Sequence, residues 1–226
     1  MLKSLILKDL YGIRFQLIAS ALLFLLPHML CFFVGVGLTV DENAANAVGA
    51  VALYGVMNYI TITVFSSLFL NTIADDIQSG WARFQRTLPL TVGQLIGGKL
   101  LASLVLIAVM AAVSILLNLV VVLAGNPYVE ALIALPIIFG CLQVIALMPV
   151  FPLSIKIGVK TANLLYVVFL IITAIAAVVV AFMVGANDLP PVLTRVILYV
   201  ILPLLAAGVT VDSYSLGKKA LENSEE

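Results

Sequence analysis

Apolar residues gather along the chain into six long runs, at residues 17–40, 48–74, 92–124, 131–155, 164–185 and 192–211, separated by short polar breaks. A helix rises about 1.5 Å per residue, so each run reaches across a hydrocarbon core of about 30 Å. The charges at the breaks are not evenly shared. If both termini lie inside, ten basic residues fall on the inner side: Lys3, Lys8, Arg14, Arg83, Arg86, Lys99, Lys156, Lys160, Lys218 and Lys219. Arg195 alone falls outside, near enough to a helix end to snorkel. The pattern predicts an all-α integral membrane protein with six transmembrane helices and cytoplasmic N and C termini.

Ahead of the first run, Leu2, Ile6, Leu10, Ile13 and Leu17 recur at steps of three and four. Ser4, Lys8 and Tyr11 lie opposite that stripe, and Lys3 and Arg14 flank it. This spacing predicts an amphipathic helix over residues 1–16, lying along the inner membrane surface with its basic groups near anionic headgroups. The plainer alternative is a cytoplasmic continuation of the first span.

The breaks leave no room for another domain. The outer loops, 41–47, 125–130 and 186–191, are too short to fold as a receptor module, and residues 212–226 form a short cytoplasmic tail. Pro27, Pro136, Pro149, Pro152 and Pro203 fall inside spans, where kinks are expected. The N-terminal segment does not read as a cleavable signal peptide: the apolar run behind it is too long and no small-x-small site follows. Composition agrees with the pattern, with 64% hydrophobic and 10% charged residues. The mean hydropathy is +1.26. The net charge of zero argues against a nucleic-acid partner, which needs a basic footprint. Cys31 and Cys141 both fall within spans and read as small packing residues.

Catalytic chemistry is hard to find. His28 is the single histidine, so a paired-histidine metal site is excluded, and neither a G-x-S-x-G elbow nor a phosphate loop with Lys and Ser/Thr occurs. No catalytic residue, metal site or bound cofactor is expected. Ion-coupled carriers bury charged groups near the midplane, and the deep parts of these spans hold none. His28, next to Pro27, is the one ionisable group near mid-membrane. It is either a proton-sensitive gate or a neutral histidine bonded to a neighbouring helix. The second span is unusually polar, with Asn58, Thr61, Thr63, Ser66, Ser67 and Asn71. Asn58, Thr61 and Asn71 need interior partners or a wet cavity. They serve either as glue between helices or, with His28, as the lining of a translocation path or subunit interface.

The longest inner loop, residues 75–91, carries the only Trp. Thr91 and Gln94 have the spacing of a capping box that starts the third helix, and Leu88-Pro89 stops helix propagation before it. Trp81 and Phe84 are three apart, hence on one helical face, and Arg83 and Arg86 share an adjacent one. An aromatic pair beside a basic pair suits a protein partner's groove. It equally suits an interfacial helix with Trp81 at the headgroups and the arginines on phosphates.

From Asp75 to Leu101 the chain reads Gly80-Trp81, Arg83-Phe84, Thr87-Leu88-Pro89-Leu90-Thr91 and Gly98-Lys99-Leu100-Leu101. This stretch resembles the inner loop of ABC-2-type permeases, the membrane subunits of ATP-binding-cassette exporters. The topology and the absence of a fused ATPase domain are also similar. Among such proteins the chain most resembles the small permeases of phenol-soluble-modulin and bacteriocin-type peptide exporters. The resemblance implies a type V exporter-like half-transporter in a bacterial cell membrane. Two copies, as a homodimer, would work with two copies of a separate cytoplasmic ATPase that carries the ATP and Mg. It further implies a coupling helix within residues 78–85. Trp81 and Phe84 would enter the ATPase groove, and Arg83 and Arg86 would pair with its acidic rim. Lys156 and Lys160, in a second inner loop at 154–162, would make a smaller contact. The substrate expected is an amphipathic peptide or a similar hydrophobic molecule, moved outward. The competing readings are a self-contained secondary carrier, which would need His28 or Asp212 as its coupling group, and a non-transporting assembly or immunity protein.

Overall fold

The structure, a computed structural model, describes residues 2–22, 33–34, 37, 44–78, 90–185 and 191–222. Most of the first predicted span, with Pro27, His28 and Cys31, lies outside the described residues, as does the loop segment with Trp81, Arg83, Phe84 and Arg86. Among the described residues every regular element is helical. The helices are α1 (Leu2–Gly12), α2 (Ala44–Gln78), α3 (Val92–Leu123), α4 (Val129–Leu147), α5 (Val150–Ile157), α6 (Val159–Gly185), α7 (Pro191–Val196) and α8 (Leu202–Glu222).

Four stretches are long and apolar enough to cross a membrane: Gly49–Leu70, Val92–Leu123, Val129–Ile157 and Ile197–Glu222. A shorter apolar helical stretch, Val159–Ile175, lies where the fifth run was expected. The multi-pass character is therefore plain, and four of the six expected spans have direct counterparts.

Local chemistry accounts for where these helices start and bend. Thr91 caps α3 in extended geometry: the Gln94 N–H donates to Thr91 Oγ1 at 3.3 Å, and the Thr91 N–H donates to Gln94 Oε1 at 3.1 Å. That is the capping box expected from the sequence. The fourth span is broken at Met148-Pro149 and resumes as α5. In the sixth span Pro203 has no N–H to offer one turn back, and a π turn at Ile197–Ile201 absorbs the lost bond. The helix then runs past the expected boundary at 211 to Glu222.

The inner connection expected at residues 154–162 is much shorter than the sequence suggested. Helix α5 continues to Ile157, α6 starts at Val159, and Gly158 alone separates them at φ +86°. An L side chain would strain that backbone, so glycine permits a one-residue reversal.

The N-terminal helix also differs from expectation in what its apolar stripe is buried against. Ile13 is fully buried and Ile6 packs on the core, while α1 lies mainly against α3. The predicted apolar stripe thus meets protein. A second apolar row, Leu7, Tyr11, Phe15 and Ile18, is exposed, and the Arg14 guanidinium sits 3.6 Å above the Tyr11 ring. The sequence shows one stripe clearly because its spacing is regular; it does not say which side the protein takes.

The core runs along α2, α3 and α4, with α5, α6 and α8 completing it at the end where α3 starts. Phe69, Leu70, Leu100, Ser103, Leu147, Met148 and Phe151 enclose a cavity of only about 10 Å³, room for one water. Where α8 crosses the start of α3 the approach is close. A Cβ on Gly93 would come within 2.5 Å of Tyr214 Oη, and one on Gly217 within 3.2 Å of Ile96 Cγ2.

Candidate functional site: the buried ion cluster and the polar interior

Each of three helices carries a charge on its buried stripe. On α1, Asp9 shares the Ile6, Leu10, Ile13 face; on α3, Lys99 shares the Ile96, Leu100, Ser103 face; near the end of α2, Asp76 follows Phe69 and Thr72. Spacings of three, four and seven place such residues together. Water is largely excluded there, so the charges must find one another.

They do so in one cluster. Lys99 Nζ lies 2.6 Å from Asp76 Oδ2 and 3.4 Å from Asp9 Oδ2. Lys8 Nζ lies 3.1 Å from Asp9 Oδ1 and 2.5 Å from Asp76 Oδ1. Each carboxylate therefore touches both ammonium groups, and the cluster is electrically neutral. Side-chain exposure is 3% for Asp9 and 10% for Asp76 and Lys99, against 34% for Lys8, whose stem reaches toward water. Attraction in such a place offsets the cost of desolvation only while the set is complete. Deleting one member strands a buried charge, at a cost of about 3–5 kcal/mol.

The cluster's position is what gives it functional interest. Asp76 is close to the end of α2 and Lys99 is in the second turn of α3, so the two flank the loop between these helices at its roots. The downstream root is held a second time by the close crossing with α8 at Gly93 and Gly217.

Farther along the helices from the cluster, neutral polar groups replace charges. Asn58 Nδ2 donates to Asn118 Oδ1 at 3.1 Å, and Asn118 Nδ2 donates to the Leu132 carbonyl at 2.6 Å, joining α2, α3 and α4. Thr63 Oγ1 donates to Gln143 Oε1 at 3.3 Å, and Gln143 in turn bonds the Tyr166 hydroxyl of α6. The Tyr59 hydroxyl donates to the Leu170 carbonyl at 3.3 Å. Thr61 is buried and donates to the Met57 carbonyl of its own helix at 2.8 Å. The Asn71 side chain lies outside the described residues. Lys156 and Lys160 are exposed on either side of Gly158. Cys141 is half-buried against the core and free.

Sequence reasoning missed Asp9 and Asp76, and it counted Lys99 only among the basic residues at the breaks and in the motif stretch. The available signal was an acid or base standing inside an apolar i, i+4, i+7 face. Arg195, at the opposite end from the cluster, is not merely snorkelling. It forms a two-pronged pair with Glu130, Nε to Oε1 at 3.0 Å and Nη2 to Oε2 at 2.9 Å, with both side chains more than half exposed.

Among the described residues no group of three His, Cys, Asp or Glu side chains is placed to hold a metal ion. A family model described as ABC-2 family transporter protein matches residues 4–220. No curated protein and no solved structure matches the chain.

Proposed function

The chain belongs to the ABC-2 family of transporter proteins, and on that footing we propose that it is the permease half of an exporter powered by a separate ATPase. The family membership makes it a membrane component of an ABC transporter, associated with an ABC ATPase. Our proposal adds the working parts. Two copies of the chain form the permease, and the ATPase subunits dock on the loop between α2 and α3. Trp81 and Phe84 seat in the ATPase, Arg83 and Arg86 pair with its acidic rim, and Lys156 and Lys160 add a second contact.

The observation that carries this reading is the construction around that loop. A docking loop must push on something rigid, and both roots of this one are held by a buried, charge-balanced cluster. Motion driven by ATP binding would then reach the spans instead of being lost in local bending. The neutral interior, built from Asn, Thr, Gln and Tyr groups bonded between helices, suits an amphipathic peptide or similarly apolar cargo better than an ion. Asn58, Thr61, Asn71 and His28 remain the proposed lining of the path or of the subunit interface.

The test is direct. Purified with its ATPase in mild detergent, the Trp81→Ala/Arg83→Ala variant should insert into membranes normally, lose the ATPase subunit and lose stimulated ATP turnover. Normal co-purification and turnover in that variant would remove the loop from the docking role.

A further inference from the structure

We propose that α8 is the moving span of this protein: it turns and slides against a body of α2, α3, α4 and α6, whose members are bonded to one another by polar side chains. This rests on the chain being the permease of an ATP-driven exporter, and adds which helix contact gives way in each cycle.

The body is tied from helix to helix. Asn118 bonds Asn58 and the Leu132 carbonyl, which fixes α2, α3 and α4 to one another. Thr63, Gln143 and Tyr166 join α2, α4 and α6. Tyr59 adds a bond to the Leu170 carbonyl and sets its ring edge-on to Phe139, with centroids 5.4 Å apart. Tyr59 and Thr63 are four apart on α2, Phe139 and Gln143 on α4, and Tyr166 and Leu170 on α6, so each helix offers two successive turns of one face. Lipid supplies no replacement partner, so a slide along these faces would break the bonds without compensation.

Helix α8 is attached differently. Among the described residues its side-chain bonds run along the helix itself: Thr210 donates to the Ala206 carbonyl at 2.8 Å, Ser215 donates to the Asp212 carbonyl at 2.9 Å, and Lys218 lies 3.9 Å from Glu222. What it buries is a seam of small residues, Ala206, Ser213 and Gly217, laid against α3, α4 and α5. Small residues let helix backbones come close while few side chains interlock. The crossing at Gly93 and Gly217 therefore resists separation but permits turning and small sliding, the shear by which packed helices move. The far end yields too. The Arg195–Glu130 pair that ties α7 to α4 is exposed, and the π turn at Ile197–Ile201, none of it buried, lies between that pair and α8.

Disulfide locks test the assignment, with Cys31 and Cys141 replaced by Ala and each variant compared with its own reduced form, so that a folding defect is not mistaken for a locked helix. Ile96→Cys/Gly217→Cys ties α3 to α8 at the crossing, where a Cβ on Gly217 comes within 3.2 Å of Ile96 Cγ2. Ala111→Cys/Gly140→Cys ties α3 to α4 inside the body, where a Cβ on Gly140 lies 3.7 Å from Ala111 Cβ, a spacing that suits a disulfide. The readout is ATP turnover by the complex of permease and ATPase in vesicles, which needs no identified cargo. Oxidation should bring the Ile96/Gly217 variant down to the turnover of the ATPase alone and leave the Ala111/Gly140 variant at its reduced rate. An oxidised Ile96/Gly217 complex that keeps its turnover, or an oxidised Ala111/Gly140 complex that loses it, would overturn the proposal. A parent complex with no ATPase would instead remove the exporter reading beneath it. A second measurement leaves both contacts intact, using spin labels in complexes that carry one labelled copy. On ATP binding the distance between Val109→Cys on α3 and Leu205→Cys on α8 should shift, while that between Val109→Cys and Ile171→Cys on α6 stays fixed. An unchanged α3–α8 distance would also overturn the proposal.

Discussion

At its two ends the molecule uses the same kind of bond differently. Beside the loop between α2 and α3, two lysines and two aspartates lock together largely out of water. At the opposite end Arg195 and Glu130 make a geometrically better pair, with two parallel contacts, yet in a place where more than half of each side chain is wet. Geometry alone would rank the exposed pair first. Solvent reverses the ranking, because water and salt screen the exposed pair and compete for both partners. The buried cluster cannot be weakened gradually; it is complete or it is costly. An exposed pair suits a contact that opens and closes cheaply, and a buried cluster suits one that must transmit force.

This contrast can be broken most severely at Lys99. Lys99→Met leaves two buried carboxylates facing Lys8 alone, and should destabilise the permease by about 3–5 kcal/mol. Loss of the monodisperse species in detergent, or a large fall in Tm, is the measurement. Next comes the crossing that steadies the same end. Gly217→Val places branched carbon against Ile96, where even a Cβ sits at 3.2 Å, and should cost about 1–3 kcal/mol. Thermal unfolding reads it directly. Between the two ends, Asn118→Ala removes the bonds to Asn58 and to the Leu132 carbonyl. Membrane hydrogen bonds of this kind contribute about 1 kcal/mol, so a fall of a few degrees in Tm is expected. The smallest effect belongs to the exposed pair. Glu130→Gln should leave Tm almost unchanged, and any small change should vanish in high salt. A large, salt-resistant loss there would erase the distinction between the two ends.

The sequence carried most of what depends on local order. Runs of apolar residues mark out spans because only helices satisfy the backbone in lipid, and Thr91 with Gln94 announces a helix start three residues apart. Pro203 announces irregularity for an equally local reason, although not that the answer is a π turn. The near-absence of the second inner loop was harder to foresee, since it turns on one glycine adopting a positive φ between two helices. What the sequence could not supply was pairing across long separations. Asp9, Asp76 and Lys99 each stand out as a charge within an apolar face, but nothing in their spacing says that they meet. The same holds for Asn58, whose need for a partner is legible and whose partner, sixty residues on, is not. The inner face of α1 shows this most clearly: periodicity defines a stripe, and only the packed structure says that protein, not membrane, covers it.

The measurement that tests the central claim most directly is the mass and composition of the complex drawn from its native membrane in mild detergent, with its ATP turnover. The account predicts two copies of this chain with two copies of a soluble-type ATPase subunit, hydrolysing ATP. A homo-oligomer with no nucleotide-binding subunit would contradict it, and would leave the permease without the motor on which the whole reading depends.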